Sequence, residues 1–393
     1  MPTPPDTPLY CPHFGPCGGC TLLDTPIESQ LAQKQAHARS LLSPWLSDLV
    51  PEISLPPRTP RHDRLSLLFP AARRGHELVL GIYRRGSHDI LPITDCRIQA
   101  KALTRLATAA AKVMNELSLD AYHETTQRGL VRAFRARVMP GTGELLLGVV
   151  TTRADFSERI VLGARLADIA HGLKDEQGKA LPLVGVVVNH NPRPGNVLLG
   201  PDTAAIRGQT FQTDRQDGLE IRVSFASFYQ QHRHSSAILF RPALQLLGDV
   251  AGQRVVDGYG GVGSFGLRLL RAGAAHVTLI ESSPSAGADA RHNFAANGLA
   301  AAAEVHQAPF GEAPLPPCDL LIVDPPRAGL MERGAAAVLA ASPPRVLLVS
   351  CALEGLARDL TMLSARYRVA AVRLCDLFPH TEHVEAVTLL ERR

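Results

Sequence analysis

Between Arg254 and Gly266 the chain passes from a short apolar strand, through Asp257-Gly-Tyr-Gly-Gly-Val-Gly-Ser-Phe-Gly266, into an apolar helical segment. Few folds accept that series. The glycines let the backbone turn sharply, and the helix then opens with unpaired N–H groups facing whatever the turn cradles. Residues 254–257, 277–281, 320–324 and 346–350 read as short buried strands separated by Ala-rich helical segments, the alternation of a doubly wound sheet. Residues 367–374 and 384–391 follow with only a loop between them, so the last strand is expected to pair antiparallel. An α/β, Rossmann-like domain is expected over residues 225–393, with its ligand at the carboxyl ends of the strands.

Residues 1–224 have a different pattern. The first ten hold four prolines and read as a tail. Residues 27–43 put Ile27, Leu31, Ala38 and Leu42 on one face of an amphipathic helix that Pro44 should end. Beyond it, residues 77–83, 130–139, 144–151, 184–188 and 196–199 read as strands and 102–117 as a helix, a β-rich α+β domain. Hydrophobic residues make up 45% of the chain, enough for packed cores, and no apolar run approaches the ~18 residues of a membrane span. With no export segment visible, a cytoplasmic protein without membrane contact is expected.

The net charge of +4 is unevenly spread. Arg58, Arg61, Arg64, Arg73, Arg74, Arg84 and Arg85 face only Asp63 and Glu77 in one stretch, and Arg128, Arg132, Arg135 and Arg137 follow. Such clusters suit a phosphate backbone, with Arg132 and Arg135 as candidate contacts; the alternative is a solvated basic face.

Gly261-x-Gly263-x-x-Gly266 matches a dinucleotide fingerprint, with Glu281 placed to take ribose hydroxyls. Asp257 argues for S-adenosylmethionine instead, because a carboxylate there meets a pyrophosphate badly but can hold an ammonium group. Asp324-Pro-Pro-Arg327 and Ser350-Cys351 end two of the other strands at the same crevice. Asp324 can accept a hydrogen bond from a base's ring N–H. Cys351 can act as a nucleophile, and that chemistry is specific: uracil C5 takes a methyl group only after a thiolate has added at C6. A base must then remove the C5 proton, and within Phe378-Pro-His-Thr-Glu-His-Val-Glu385 the groups His380, Glu382, His383 and Glu385 all qualify by type. Separately, Cys11, Cys17 and Cys20 form a compact thiolate set with Cys96 as a natural fourth, suited to zinc or to an iron–sulfur cluster. These cysteines lie far in sequence from the catalytic motifs.

Together these motifs resemble the RNA 5-methyluridine methyltransferase family, which modifies tRNA or ribosomal RNA, and the likeness runs from Cys11 to the C-terminus. It implies a class I methyltransferase domain, with Asp257, Gly258, Tyr259, Gly261, Gly263, Glu281 and Asp324 at the S-adenosylmethionine site. Phe228-Tyr-Gln230 is similar to the family's Phe-x-Gln, which implies cofactor contact by Gln230 and stacking of Phe228 or Tyr229 on an extruded base. The closing motif His383-Val-Glu385 selects Glu385 as the base. By the same likeness Cys11, Cys17, Cys20 and Cys96 hold a [4Fe–4S] cluster, and the helix over 27–43 packs on the catalytic domain.

Some positions depart from the family. Ala352-Leu353 stands for its usual Asn-Pro, His232 for Asn and Gly260 for a frequent Cys, and the chain begins near Cys11, without the N-terminal β-barrel of many members. RNA contact is therefore expected from the central domain, in a monomer. Two rival functions remain open on the residues alone, a nicotinamide-dependent iron–sulfur oxidoreductase and a catalytically weak RNA-binding protein of the same fold.

Overall fold

The computed structural model describes residues 9–46, 49, 51–55, 60–230 and 232–393. The first eight residues of the proline-rich tail and Arg58 of the basic stretch lie outside them. Helix α1 (Ile27–Leu46) and strand β1 (Glu52–Ser54) come first. They are followed by β2 (Ser66–Arg74), β3 (Glu77–Tyr83), β4 (Ile90–Pro92), helix α2 (Lys101–Glu116), β5 (Val131–Val138), β6 (Leu145–Thr151), helix α3 (Arg159–Ala170), β7 (Leu183–His190) and β8 (Asp202–Gly208). Among the described residues, β2 to β8 form one sheet in the order β4-β3-β2-β5-β6-β7-β8. Its neighbours are antiparallel except β6 and β7, which α3 joins in parallel. Helices α2 and α3 pack on the sheet and on each other, burying Leu103, Leu106 and Met114 against Phe134 and Leu147.

A hairpin of β9 (Phe211–Gln216) and β10 (Leu219–Ser224) leads to the second half. There α4 (Arg241–Leu247), β11 (Arg254–Gly258), α5 (Ser264–Arg271), β12 (His276–Ile280), α6 (Pro284–Ala296), β13 (Ala303–His306), β14 (Leu320–Val323), α7 (Met331–Ala341), β15 (Arg345–Ser350), α8 (Leu353–Leu363), β16 (Tyr367–Cys375) and β17 (Glu385–Arg392) follow. The sheet order is β1-β16-β17-β15-β14-β11-β12-β13. Strands β11 to β15 are parallel, and β17 runs antiparallel between β15 and β16. This is a doubly wound Rossmann-like α/β sheet whose order reverses beside β11, so a crevice opens at the end of β11, where the glycine loop begins. None of the described helices is long and apolar enough to cross a membrane.

Segments that precede residue 225 build part of this second unit. Strand β1 adds in parallel to β16, and α1 lies against α8 and β16. The hairpin seats Leu219, Ile221 and Val223 in the apolar core that also holds Val277 and Phe294. Its exposed backbone edge is satisfied by α6 and the residue that caps it: Asn297, Asn293 and Asp289 accept from the N–H groups of Glu220, Arg222 and Ser224.

Two local expectations are corrected. Helix α1 continues through Pro44, which removes the N–H that would bond the Ser40 carbonyl; the Ser43 hydroxyl donates to that carbonyl at 2.9 Å instead. Its buried stripe is Gln30, Lys34, Ala38, Leu42 and Leu46, so two polar residues stand where Ile27 and Leu31 were expected. Residues 196–199 are not a strand, and β8 pairs with β7 in their place. The side-chain amide of Asn191 donates to the carbonyls of Val197 and Leu198, giving that loop its hydrogen bonds without a ladder.

Asp289 carries much of the hairpin's attachment. Its buried carboxylate accepts from the Ser224 N–H and from the hydroxyls of Ser224 and Ser227, each at 2.7 Å, and pairs with Arg222 at 3.3 Å. Asp289→Ala strands these donors and should lower unfolding free energy by roughly 3–5 kcal/mol. A denaturant midpoint equal to that of the unsubstituted protein would contradict this.

Candidate active site

The turn after β11 is strained into shape. Tyr259 has φ 58°, and Gly263, the residue before α5, has φ 88°, a conformation that disfavours any side chain. At Gly258 a β-carbon would stand 2.5 Å from Phe310, so the loop lies directly against that ring. Tyr259 packs on the same ring, 5.0 Å between centroids. Glu281, just beyond β12, pins the loop: one carboxylate oxygen accepts from the Gly261 N–H at 2.9 Å and the other from the Ser283 N–H at 2.6 Å. Asp257 is buried and accepts from the Gly266 N–H in the first turn of α5 at 2.9 Å. Burial pushes its carboxyl up to about 7 despite that bond, and Asp324 and Glu281 add to the rise.

The sheet register assembles a second set of groups. Ser350 pairs with Ala386 across β15 and β17, so Cys351, just past the end of β15, and Glu385, the first residue of β17, lie at the same edge. Asp324 follows β14, the strand beside β15, and donates its N–H to the Gly258 carbonyl at 3.4 Å. Cys351, Asp324 and Glu385 thus share the crevice with the glycine loop. Glu385 is 2% exposed, and its Oε2 has no hydrogen-bond partner among the described residues. Burial and the facing Asp324 hold its carboxyl well above the usual range, and burial pushes Asp324 up to about 7. Two carboxyls in one dry site do not both ionise cheaply. Burial also raises the Cys351 thiol, with Glu385 and Asp324 adding, while the Arg327 cation opposes them.

A cavity of about 330 Å³ opens beside Cys351, lined by Gln33, Lys34 and His37 of α1 and by Leu353, Glu382 and His383. His380 does not reach it. Its ring is buried, with Nδ1 3.3 Å from the Gln30 amide nitrogen and Nε2 3.0 Å from the Pro60 carbonyl. Leu353, where the family has Pro, is buried among Leu356 and Val384 at the start of α8. His232 is buried too, and its backbone bridges to Arg64.

Phe228 is 62% exposed, whereas Tyr229 is buried and donates its hydroxyl to Asp214 at 2.8 Å. Tyr229 is therefore removed as a stacking candidate, and Gln230 beside it is half-buried. The arginines of β5 are buried. Arg132 is 3% exposed, donates to the carbonyls of Asn191, Arg193 and Gly195, and stacks on Tyr122. Arg135 is 6% exposed and lies over Phe225, with Arg137 next to it donating to the carbonyls of Val223, Ser224 and Ser227. Arg135 and Arg137 latch the first sheet to the segment that enters the catalytic unit. A basic groove is lined by Arg73, Arg74, Tyr83, Arg84 and Tyr122, and Arg132 belongs to its wall, whereas Arg135 does not.

Cys11, Cys17, Cys20 and Cys96 line one small cavity with Leu23 and Ile98, and none is in a disulfide. Gly19 and Gln99 direct N–H groups at the sulfurs of Cys17 and Cys96, each at 3.4 Å. Burial pushes Cys20 up to about 12, with Cys96, Cys17 and Cys11 adding and Arg64 opposing. Among the described residues no group of three or more His, Cys, Asp or Glu side chains is gathered tightly enough for one metal ion.

Sequence reading missed Phe310 against the glycine loop, Arg64 between the thiols and the crevice, and the buried ion pair of Lys34 with Asp376 at 2.7 Å. No motif marks them; only a shifted helical face in α1, with polar residues inward, could have pointed to Lys34.

The raised Asp324 value sets a pH dependence. The native state keeps a proton that the unfolded chain releases near pH ~3.9, so this stabilisation is complete below that pH and is lost as pH rises through about 7. Asp324→Asn should therefore be more stable than the parent at pH 8, by on the order of a few kcal/mol, and lose that advantage at pH 4. Parallel stability profiles in urea across that range would contradict the assignment.

A family model described as tRNA (uracil-5-)-methyltransferase matches residues 316–393, which include Asp324, Cys351 and Glu385. An uncharacterized RNA methyltransferase of Bacillus cereus is 31% identical over 396 residues, covering 97% of this chain and 82% of that protein. One from Gloeobacter violaceus is 34% identical over 390 residues with the same coverage. The fold superposes on Pyrococcus abyssi tRNA (uracil-54, C5)-methyltransferase, solved with S-adenosyl-L-homocysteine, at a TM-score of 0.75 and 26% identity over 97% of this chain and 86% of that one. A doubly wound sheet, a glycine loop and a thiol with two carboxyls at one edge agree with these likenesses: the chain belongs to the RNA (uracil-5-)-methyltransferase family.

Proposed function

We propose that this protein methylates C5 of a uridine in RNA, with S-adenosylmethionine as donor and Cys351 as covalent nucleophile. The observation that carries this reading is the β15–β17 register, which brings a thiol and a buried carboxyl together beside the glycine loop. The Pyrococcus likeness favours tRNA over ribosomal RNA as substrate.

The glycine loop, Gln230 and Glu281 would hold the donor, which when bound supplies the methyl group. The rest is done by side chains of this chain. Cys351 adds as thiolate, favoured by the Arg327 charge; a bond forms from sulfur to C6, and the C5–C6 π pair moves into an enolate that makes C5 nucleophilic. Asp324 accepts from the ring N–H and holds the base in register. After C5 is methylated, ionised Glu385 takes the C5 proton, the C–H pair restores the C5–C6 double bond, and the C6–S pair leaves with Cys351. A carboxylate in a dry site is a stronger base than one in water, which suits this step. Phe228, exposed at the start of the catalytic unit, is the stacking surface for the extruded base.

The four-cysteine cavity is read as the site of a [4Fe–4S] cluster. What supports this is the donor set itself, four free thiols with N–H donors directed at two of them and an arginine beside them. RNA is placed along the groove of Arg74 and Arg84, where two tyrosines add stacking surface.

Glu385→Gln should bind RNA, attack and methylate, then stall before elimination, leaving a methyl-labelled protein–RNA adduct that survives denaturation; Cys351→Ala should form none. Normal turnover by Glu385→Gln would contradict the assignment of the base. Arg74→Ala and Arg84→Ala should each reduce the salt slope of RNA binding, by about 0.7–0.9 per phosphate that the missing guanidinium would have neutralised, with S-adenosylmethionine affinity unchanged. Slopes equal to that of the parent protein would remove the groove from the RNA path.

A further inference from the structure

Residues 376–384 connect β16 to β17 and deliver Glu385 to the crevice. Thr381 gives the loop internal bonds, to the Phe378 carbonyl and from the His383 N–H, and the rest come from other segments. His380, at its centre, has φ 66°, a conformation that a side chain disfavours and surrounding bonds must hold. Its carbonyl accepts the N–H groups of both Thr21 and Leu22 at 3.0 Å. Its own N–H donates to the Gln30 side-chain carbonyl at 2.8 Å, and the Gln30 amide donates to the carbonyls of Leu22 and Thr25 at 2.8 and 2.7 Å. Two residues on, the Glu382 N–H donates to the Thr21 hydroxyl at 3.1 Å. On the upstream side Lys34 pairs with Asp376 and donates to the Phe378 carbonyl at 3.0 Å.

Thr21 and Leu22 directly follow Cys20. The segment that carries three of the four thiols is thus bonded to the loop that ends in Glu385, and the long separation in sequence is no separation in space. Arg64 spans the same gap, lining the thiol cavity with its guanidinium 5.9 Å from the Phe378 ring centroid.

We infer that the thiol-bearing segment positions the catalytic base: Thr21 and Gln30, acting through Glu382 and His380, set where Glu385 stands for proton removal. This rests on the reading of Cys351 as nucleophile and Glu385 as base. Thr21 and Gln30 touch neither substrate nor donor in this scheme; they are positioning residues. The specific consequence is that disturbing the tie harms elimination, the step Glu385 serves, and spares the thiolate attack and methyl uptake that precede it.

The test compares Thr21→Val, Gln30→Met, Cys20→Ser and Glu385→Gln in the full-length protein, with tRNA and methyl-labelled S-adenosylmethionine. Thr21→Val keeps the shape and removes only the hydroxyl that accepts from Glu382, and Thr21→Ser restores it. Thr21→Val and Gln30→Met should lower kcat about 10- to 100-fold, the cost expected of a misplaced catalytic group, with KM for RNA unchanged. Both should accumulate the labelled, denaturation-resistant adduct seen with Glu385→Gln, and Thr21→Ser should behave as the parent. Cys20→Ser should accumulate the same adduct, with visible absorbance followed alongside as a separate readout of the thiol site. Adduct in Glu385→Gln but in neither Thr21→Val nor Gln30→Met would overturn the tie while leaving the base assignment intact. No adduct in Glu385→Gln would overturn both.

Discussion

Strand β17 enters the catalytic sheet against the direction of β15, and that reversal makes the site. In a wholly parallel sheet the edge near Cys351 would receive only strand carboxyl ends. The antiparallel insertion brings the amino end of a strand to the same edge, so Glu385 arrives where Cys351 stands, just beyond the Ser350–Ala386 pair. Everything else is arranged around this meeting: β14 supplies Asp324 from the adjacent strand, the glycine loop rises from β11 one strand further on, and α1 closes the opposite side through the cavity beside Cys351.

The electrostatic character of the crevice follows from its dryness. Asp257, Asp324 and Glu385 are buried near one another, and burial raises all three carboxyls. Such a cluster costs stability in the free protein and gives basic, acceptor-rich walls to a site that must hold a cationic methyl donor and then abstract a proton. Arg327 is the counterweight, facing Cys351, and the Asp-Pro-Pro-Arg turn is what brings it there.

The central sheet and the catalytic unit are joined by buried arginines of an unusual strand. In β5 all residues are buried, and Arg135 and Arg137 direct their guanidinium groups at backbone carbonyls of residues 223–227. Guanidinium donors in a rigid fork suit a cluster of carbonyls that would otherwise be stranded by burial. Arg135 and Arg137 therefore cement a join between the two units and do not face solvent.

Much of this architecture was legible in the residues. Short apolar runs such as Leu320–Val323 leave little alternative to a buried strand, and the glycine loop marks the turn that follows β11. The chemistry-bearing residues sit at strand ends, where the pattern itself places them. The burial of Arg135 was not legible, because alternation shows that a strand has a polar face without saying whether water or buried carbonyls meet it. The true stripe of α1 was hidden because Gln30 and Lys34 look like solvent-facing residues until their partners, His380 and Asp376, are brought in from the far end of the chain. Thr21 carried no signal at all, since a single hydroxyl acquires meaning only from the loop that folds against it.

The most direct test of the account is to incubate the protein with methyl-labelled S-adenosylmethionine and tRNA from cells lacking its gene, digest the RNA, and identify the labelled nucleoside. The account predicts label in 5-methyluridine, and none with Cys351→Ala. Label on a ring nitrogen or a ribose, or 5-methyluridine formed by Cys351→Ala, would contradict it.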